Sequence, residues 1–269
     1  MADRRPLVTI TGASGLIGGI LADRFAASYR LRLLDRAPLP GRLGQTVDLE
    51  DLPGLERAVA GADAIVHLAA ATSVAAAWPE VLGSNVVGTY HVLEAARMAG
   101  VPRVVFASSN HVVGMYERDW ASAAERPRSP TPLDHLAPPR PDSLYGVSKG
   151  FGELLCRYYA EAHDLRVVCL RIGTVLRSND PRDPAPPGFD AWAAMPWEVR
   201  IRGTWLSHRD CAELFRCALE ADVRFEVAYG VSDVPHRFWD LEHARRTLGY
   251  VARDRWPDET LALDASSPR

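Results

Sequence analysis

Tyr145 and Lys149 stand four residues apart in Leu144-Tyr145-Gly146-Val147-Ser148-Lys149, at the head of an apolar-periodic stretch of Phe151, Leu154, Leu155, Tyr158 and Tyr159. That period predicts a helix, on which positions i and i+4 share a face one turn apart. A phenol with a pKa of about 10 is a poor base at neutral pH, and a neighbouring ammonium favours its ionised form. The pair could therefore act as a general base poised near the operating pH. The same spacing also occurs on solvated helix faces, so the reading depends on what the rest of the chain places around it.

The most specific context is Thr11-Gly12-Ala13-Ser14-Gly15-Leu16-Ile17-Gly18, between the apolar run Leu7–Ile10 and a helix-like pattern of Ile17, Ile20, Leu21 and Phe25. Glycines at this spacing let a strand turn tightly into a helix and approach a pyrophosphate closely, while the helix N-terminus supplies N–H donors. The next strand, Leu31–Leu34, ends in Asp35 about 20 residues further on, where an acid accepts the adenosine ribose hydroxyls. A carboxylate there repels a 2′-phosphate and favours NAD over NADP, although Arg36 beside it could pair with that phosphate. Asp48 meets the adenine amino group or caps the helix expected over Glu50–Val59; the sequence does not separate the two.

The elements that carry these residues alternate. A continuous apolar strand over Ala64–Ala70 is expected to pass under the cofactor, with His67 a packed strand histidine. A helix over Ser84–Ala99 and a strand over Val104–Ala107 follow, the strand ending in Ser108-Ser109-Asn110-His111. Ligands of doubly wound sheets bind beyond the carboxyl ends of strands, and polar groups at such an end need partners if buried. After the Tyr145/Lys149 helix come a strand over Arg166–Ile172, a helix capped by Thr204–Asp210 and running to Ala221, a strand Phe225–Gly230 and a helix Leu241–Leu248. Asp119–Asp142 and Asn179–Pro196 are rich in Pro and read as loops able to cover a substrate. Residues Leu263–Arg269 are expected to fray. The alternation predicts an α/β Rossmann fold, one doubly wound parallel sheet with a small C-terminal substrate-binding appendage. All 269 residues would form a single domain, with 173–208 and 222–269 contributing the substrate region.

A net charge of −3 without a basic block argues against nucleic acid or a membrane surface as partner, and there is no apolar run near the roughly 20 residues of a membrane span. Cys156, Cys169, Cys211 and Cys217 form no C-x-x-C pair and lie in apolar segments, so reduced thiols, no metal site and a cytoplasmic protein are expected.

Gly12-x-x-Gly15-x-x-Gly18, Ser109 at a strand end and Tyr145-x-x-x-Lys149, in that order, resemble the extended short-chain dehydrogenase/reductase superfamily across essentially the whole chain. Ser108–His111, Arg140–Lys149, Arg171-Ile172-Gly173 and Thr204–His208 are similar to the uronate dehydrogenases and to the archaeal-type NAD-dependent glucose-6-phosphate dehydrogenases. The long segments Met115–Pro141 and Arg177–Gly203 depart from the uronate pattern. The first of these, with Tyr229–Asp233, leans toward the sugar-phosphate relatives.

The resemblance implies NAD-dependent oxidation of C1 of a cyclic hexuronic acid to an aldarolactone. Tyr145 would be the base, Lys149 would lower its pKa and hold the nicotinamide ribose, and Ser109 would bond the reacting oxygen. Cofactor contacts would fall on Gly12, Ser14, Gly15, Leu16, Ile17, Gly18, Asp35, Arg36, Asp48, Leu49, Leu68, Ala69, Ala70, Asn85, Tyr145, Lys149 and Ile172. Sugar contacts would fall on Ser73, Asn110, His111, Thr174 and Arg200, the last gripping the anionic group, with Arg202 its rival in the same loop. A sugar-6-phosphate 1-dehydrogenase is the alternative, and a nucleotide-sugar epimerase or dehydratase a further one. A non-catalytic NAD(P)-sensing protein would be expected to lose Tyr145 or Lys149. The expected partners are a small sugar acid or sugar phosphate and a second copy of the chain, the latter through the Ser84–Ala99 and Leu144–Ala162 helices.

Overall fold

The computed structural model describes residues 4–122, 132–189 and 195–257. Its seven strands are β1 (Leu7–Thr11), β2 (Arg30–Asp35), β3 (Gln45–Thr46), β4 (Ala64–His67), β5 (Arg103–Ala107), β6 (Arg166–Ile172) and β7 (Phe225–Gly230). They form one sheet in the order β3-β2-β1-β4-β5-β6-β7. Every neighbouring pair is parallel. The order reverses at β1/β4, which is where a doubly wound sheet opens its ligand crevice. The inner strands read as unbroken apolar runs because helices cover both faces: β1, β4 and β5 are buried at every position.

The covering helices are α1 (Leu16–Phe25), α2 (Leu52–Val59), α3 (Trp78–Val81), α4 (Gly88–Met98), α5 (Met115–Ser122), α6 (Leu144–His163), α7 (Trp197–Thr204), α8 (His208–Glu220) and α9 (Glu242–Leu248). Local chemistry sets their starts. Asp51, Ser143 and Ser207 each accept a hydrogen bond from the residue three positions on, at the heads of α2, α6 and α8.

Several expectations need correction. Of the two roles left open for Asp48, capping α2 falls instead to Asp51. The fourth strand stops at His67, and Leu68–Ala70 run on without strand pairing. The helix expected over Ser84–Ala99 begins at Trp78 and passes through a π-helical turn, Leu82–Val87, before α4. The loop expected from Asp119 carries the end of α5, and residues 123–131 lie outside the described part. Of the second Pro-rich segment, Asn179–Phe189 is irregular as expected, whereas the loop assigned to Arg200 and Arg202 is helix α7. The frayed end expected over Leu263–Arg269 lies outside the described residues.

β7 pairs with β6 from Phe225 to Gly230 and is therefore sheet rather than appendage. Among the described residues, only the 173–208 half of the expected substrate region lines the main cleft.

Candidate active site

A cleft of about 630 Å³ runs along the carboxyl ends of the strands, from the glycine turn past Asp35 and Asp48 to Ser109, Tyr145, Lys149, Thr174 and Arg200. At one end, Gly12 has φ +70, and a Cβ on it would lie 2.7 Å from the amide nitrogen of Ala69. A Cβ on Gly18 would lie 2.4 Å from the Gly12 carbonyl oxygen. Only glycine lets β1, α1 and the Leu68–Ala70 segment meet this closely. The N-cap of α1 is Gly15, which offers no side chain to cap the helix, and the first-turn residues Leu16, Ile17 and Gly18 line the cleft. An uncapped helix N-terminus beneath a glycine turn is a ready phosphate cradle. Asp35 accepts from the Ser14 amide at 2.9 Å and the Ser14 hydroxyl at 2.7 Å. Burial opposes its charge, but the Ser14 bonds prevail and hold the carboxyl below its usual range. An ionised acceptor thus stands beside the turn, with Arg36 next to it on the cleft wall. These residues fit a dinucleotide.

The other end is built by α6 and the 3₁₀ turn Asn110–Val113. Gly146 makes their contact possible, since a Cβ there would lie 2.3 Å from the His111 carbonyl oxygen. Tyr145 is thereby set beside Ser109, and its ring meets His111 edge-on at 5.8 Å. Burial pushes the phenol pKa up to about 12; the Ser109 bond pulls it down and Asp142 raises it further. Lys149 is buried, with its ammonium 4.8 Å from the Phe106 ring centroid and 5.8 Å from that of Tyr145. Burial lowers its pKa to about 8. Lys149 is not among the groups that act on the phenol in this arrangement: burial raises it, Ser109 lowers it and Asp142 raises it. A further positive charge brought into the cleft would act on the phenol in the required direction.

His111 is fixed by Asp142, its Nδ1 lying 2.8 Å from Oδ2 and 3.1 Å from Oδ1. Asn110 is 4% exposed, and among the described residues its Nδ2 has no hydrogen-bond partner. A buried amide donor without a partner on a cleft wall is suited to a ligand hydroxyl. Thr174 shares a hydrogen bond with Thr204 at 2.9 Å. It also accepts from Nη1 of Arg200 at 3.1 Å. Arg200 is buried on α7 and faces the cleft, whereas Arg202 lies over the Trp256 ring and is not among the lining residues.

Two expected contacts are not in the cleft wall. Asn85 is engaged on both its amide atoms, accepting from Ala71 N at 2.7 Å and donating to Ala71 O at 3.0 Å and Ser148 at 2.9 Å. It braces the Ala69–Ala71 segment from behind, because the π-helical turn aims it at α6. Ser73 is exposed and its hydroxyl accepts from Ala75 N in a local turn. Every other expected cofactor or sugar residue lines the cleft. His67 is the packed histidine expected, bonded to Thr11 at 2.8 Å.

Sequence reasoning missed Glu117 and Glu153, and gave Arg171, quoted as part of a motif, no role. Glu117 on α5 is buried and binds the Arg200 fork. Glu153 accepts from Ser108 at 2.5 Å and pairs with Arg171 at 2.8 Å through both oxygens, beneath the floor of the site. A helical pattern of Tyr116 and Trp120 around Glu117 was the available signal for α5.

Residues 8–189 match the family model described as "NAD dependent epimerase/dehydratase family". The chain is 38% identical to the NAD-dependent glucose-6-phosphate dehydrogenase of Haloferax volcanii, covering 94% of this chain and 95% of the relative. It is 37% identical to the uronate dehydrogenase of Pseudomonas putida, covering 95% and 87%. A crystal structure of a variant of Agrobacterium tumefaciens uronate dehydrogenase complexed with NAD superposes with a TM-score of 0.79 at 31% identity, covering 98% of this chain and 91% of that one. The seven-stranded parallel sheet agrees with these matches, and the chain belongs to the NAD-dependent epimerase/dehydratase family.

Proposed function

We propose that this protein is an NAD-dependent dehydrogenase that oxidises C1 of a cyclic hexuronic acid, glucuronate or galacturonate, to the aldarolactone. The observation that carries the reading is one cleft joining a dinucleotide cradle to Tyr145 and Ser109, with the Arg200 guanidinium beyond them. NAD, when bound, would supply the hydride acceptor and a positive charge in the cleft. Gly12, Ser14, Gly15 and the first turn of α1 would hold its pyrophosphate, Asp35 its adenosine ribose, and Lys149 its second ribose. Tyr145 takes the proton of the C1 hydroxyl as the C1 hydride departs, so that C1–O becomes the lactone carbonyl. Ser109 donates to the same oxygen. Asn110 and His111 orient ring hydroxyls, His111 being fixed by Asp142. Arg200 meets the C6 carboxylate from beside Thr174.

The test is NADH formation with a panel of galacturonate, glucuronate, glucose 6-phosphate and neutral hexoses. Turnover restricted to glucose 6-phosphate would replace the uronate reading with the sugar-phosphate one, which the resemblance to the Haloferax enzyme favours. The absence of turnover with every member would remove both.

The chain is also proposed to act as a homo-oligomer. α4 and α6 expose Tyr90, Met98, Val147, Phe151, Leu154 and Tyr158, with Leu154 68% exposed. Pairing these helices with a second copy would cover that surface. Sedimentation of the wild type and Leu154→Arg tests it; a wild-type monomer would end the proposal. No described helix is long and apolar enough to cross a membrane. The four cysteines are free and buried, which suits a cytoplasmic setting.

A further inference from the structure

Away from the cleft, three side chains from separate segments converge. His135 lies between α5 and α6, Glu226 on the edge strand β7, and His243 in the first turn of α9. One ligand atom from each lies within 4.8 Å of the other two. The two imidazoles stack face to face, centroids 3.4 Å apart and 5° from parallel. His243 Nε2 is 2.8 Å from Glu226 Oε1, yet no hydrogen bond forms there. Among the described residues, neither His135 Nδ1 nor His243 Nε2 has a hydrogen-bond partner, and both atoms are shut off from solvent. A buried ring nitrogen without a partner, beside a second held only by an ion-pair contact without hydrogen-bond geometry, is a costly arrangement for a protein to keep unless something bonds to it.

We propose that His135, Glu226 and His243 form a binding site for a divalent transition-metal ion of the Zn²⁺ type, separate from the cleft. Two imidazoles and one carboxylate are a donor set that Zn²⁺ accepts, with water in the fourth position. Ligands about 2.0–2.2 Å from one ion stand roughly 3.3–3.5 Å from each other in a tetrahedron. The widest separation here must close by about 1.3–1.5 Å to reach that, and because a ring nitrogen's lone pair lies in the plane of its ring, one of the two stacked imidazoles must turn out of the stack to face the ion.

The backbone already brings the ligands' segments together. Leu133 donates to Phe238 O and accepts from Asp240 N, setting His135 beside the start of α9. An ion at this point would clasp the segment leading into α6 onto the sheet edge. It would do so next to Arg171, whose Nη1 reaches the His135 carbonyl at 3.5 Å. The ion is therefore a fastener and takes no part in hydride transfer.

The experiment is calorimetric titration of chelator-treated full-length protein with ZnCl₂, paired with thermal unfolding. One ion should bind per chain, and Tm should rise by about 5 °C at a hundredfold excess over Kd. His135→Ala and His243→Ala should each lose the heat of binding and the Tm shift, and Glu226→Gln should weaken binding about tenfold or more. Co²⁺ should give the visible bands of a tetrahedral site in the wild type and not in the histidine variants. That spectrum reports ligation even if a variant unfolds at a lower temperature. The proposal is overturned by an absence of stoichiometric Zn²⁺ uptake, by uptake unchanged in either histidine variant, or by an equal Tm shift with Mg²⁺.

Discussion

Arg200 donates to both carboxylate oxygens of Glu117, from Nε to Oε2 at 2.8 Å and from Nη2 to Oε1 at 3.3 Å, and the two side chains are only 4% and 7% exposed. The guanidinium that faces the far end of the cleft is thus already partly neutralised. A sugar carboxylate must share the fork with a like charge, and the two repel in a site with little water to screen them. The pair therefore sets how strongly an anionic group is preferred over a neutral one.

Glu117→Gln keeps the shape and removes that repulsion. KM for galacturonate should fall by about threefold to tenfold, with KM for galactose unchanged, since a difference of 1.4 kcal/mol is a factor of ten in binding. Stability should drop by up to about 3–5 kcal/mol, because one partner of a buried pair loses its charge. Steady-state kinetics on the two sugars decide the matter. A rise in KM for the uronate would mean that Glu117 positions Arg200 and does not oppose the substrate.

Tyr145→Phe should lower kcat by about a thousandfold, within the range for losing a general base, while NAD binding, followed by fluorescence, stays within about threefold of wild type. The phenol is pushed up to about 12 by burial, so the ionised base gains population as pH rises. Activity should therefore climb along an alkaline limb. Lys149, its own pKa lowered to about 8, carries its charge only on the lower part of that limb, so Lys149→Met should depress activity there most; a loss equal at every pH would separate Lys149 from the proton transfer.

The sheet was legible because its strands read as apolar runs, the inner ones buried on both faces: Phe225–Gly230 matches β7 at both ends, and Arg166–Ile172 matches β6. The glycine turn and the Tyr145/Lys149 pair were legible because each works through local spacing. What was not legible depends on tertiary contact. α5 and α7 are short and polar, and the residues that join them, Glu117 and Arg200, are 83 positions apart. Asn85 has the right residue type at nearly the right place, but the π-helical turn rotates it toward Ser148 and out of the cleft. A π turn adds one residue to the helical repeat and leaves no mark in apolar periodicity.

Asp35→Ala should shift cofactor preference. The carboxylate now bonds the Ser14 amide and hydroxyl, so its loss frees the glycine turn as well as the ribose site. Arg36 stays on the cleft wall, free of a carboxylate neighbour at position 35. The ratio of kcat/KM for NAD to that for NADP should fall about a hundredfold, near 2.7 kcal/mol. An unchanged ratio, with both values reduced equally, would assign Asp35 to the turn alone.

His67 should set the acid limit of stability. Its ring is fully enclosed against Phe106, bonded to Thr11 and Thr89, and its pKa is lowered to about 3, first by burial and then by Lys149. The unfolded chain binds a proton at His67 below its ordinary pKa of about 6.5, and the folded chain does not until near 3. Stability from this group is complete above pH 6.5 and is lost as pH falls through that window. The loss amounts to several kcal/mol, at roughly 1.4 kcal/mol per unit. His67→Gln keeps a hydrogen-bonding side chain and cannot titrate. Denaturant melts from pH 7 to 4 should show a steep fall for the wild type and a shallower one for the variant, even though the variant starts from a lower value at pH 7. Parallel slopes would assign acid lability to the carboxylates, foremost Asp142 and its bonds to His111 and Ser143.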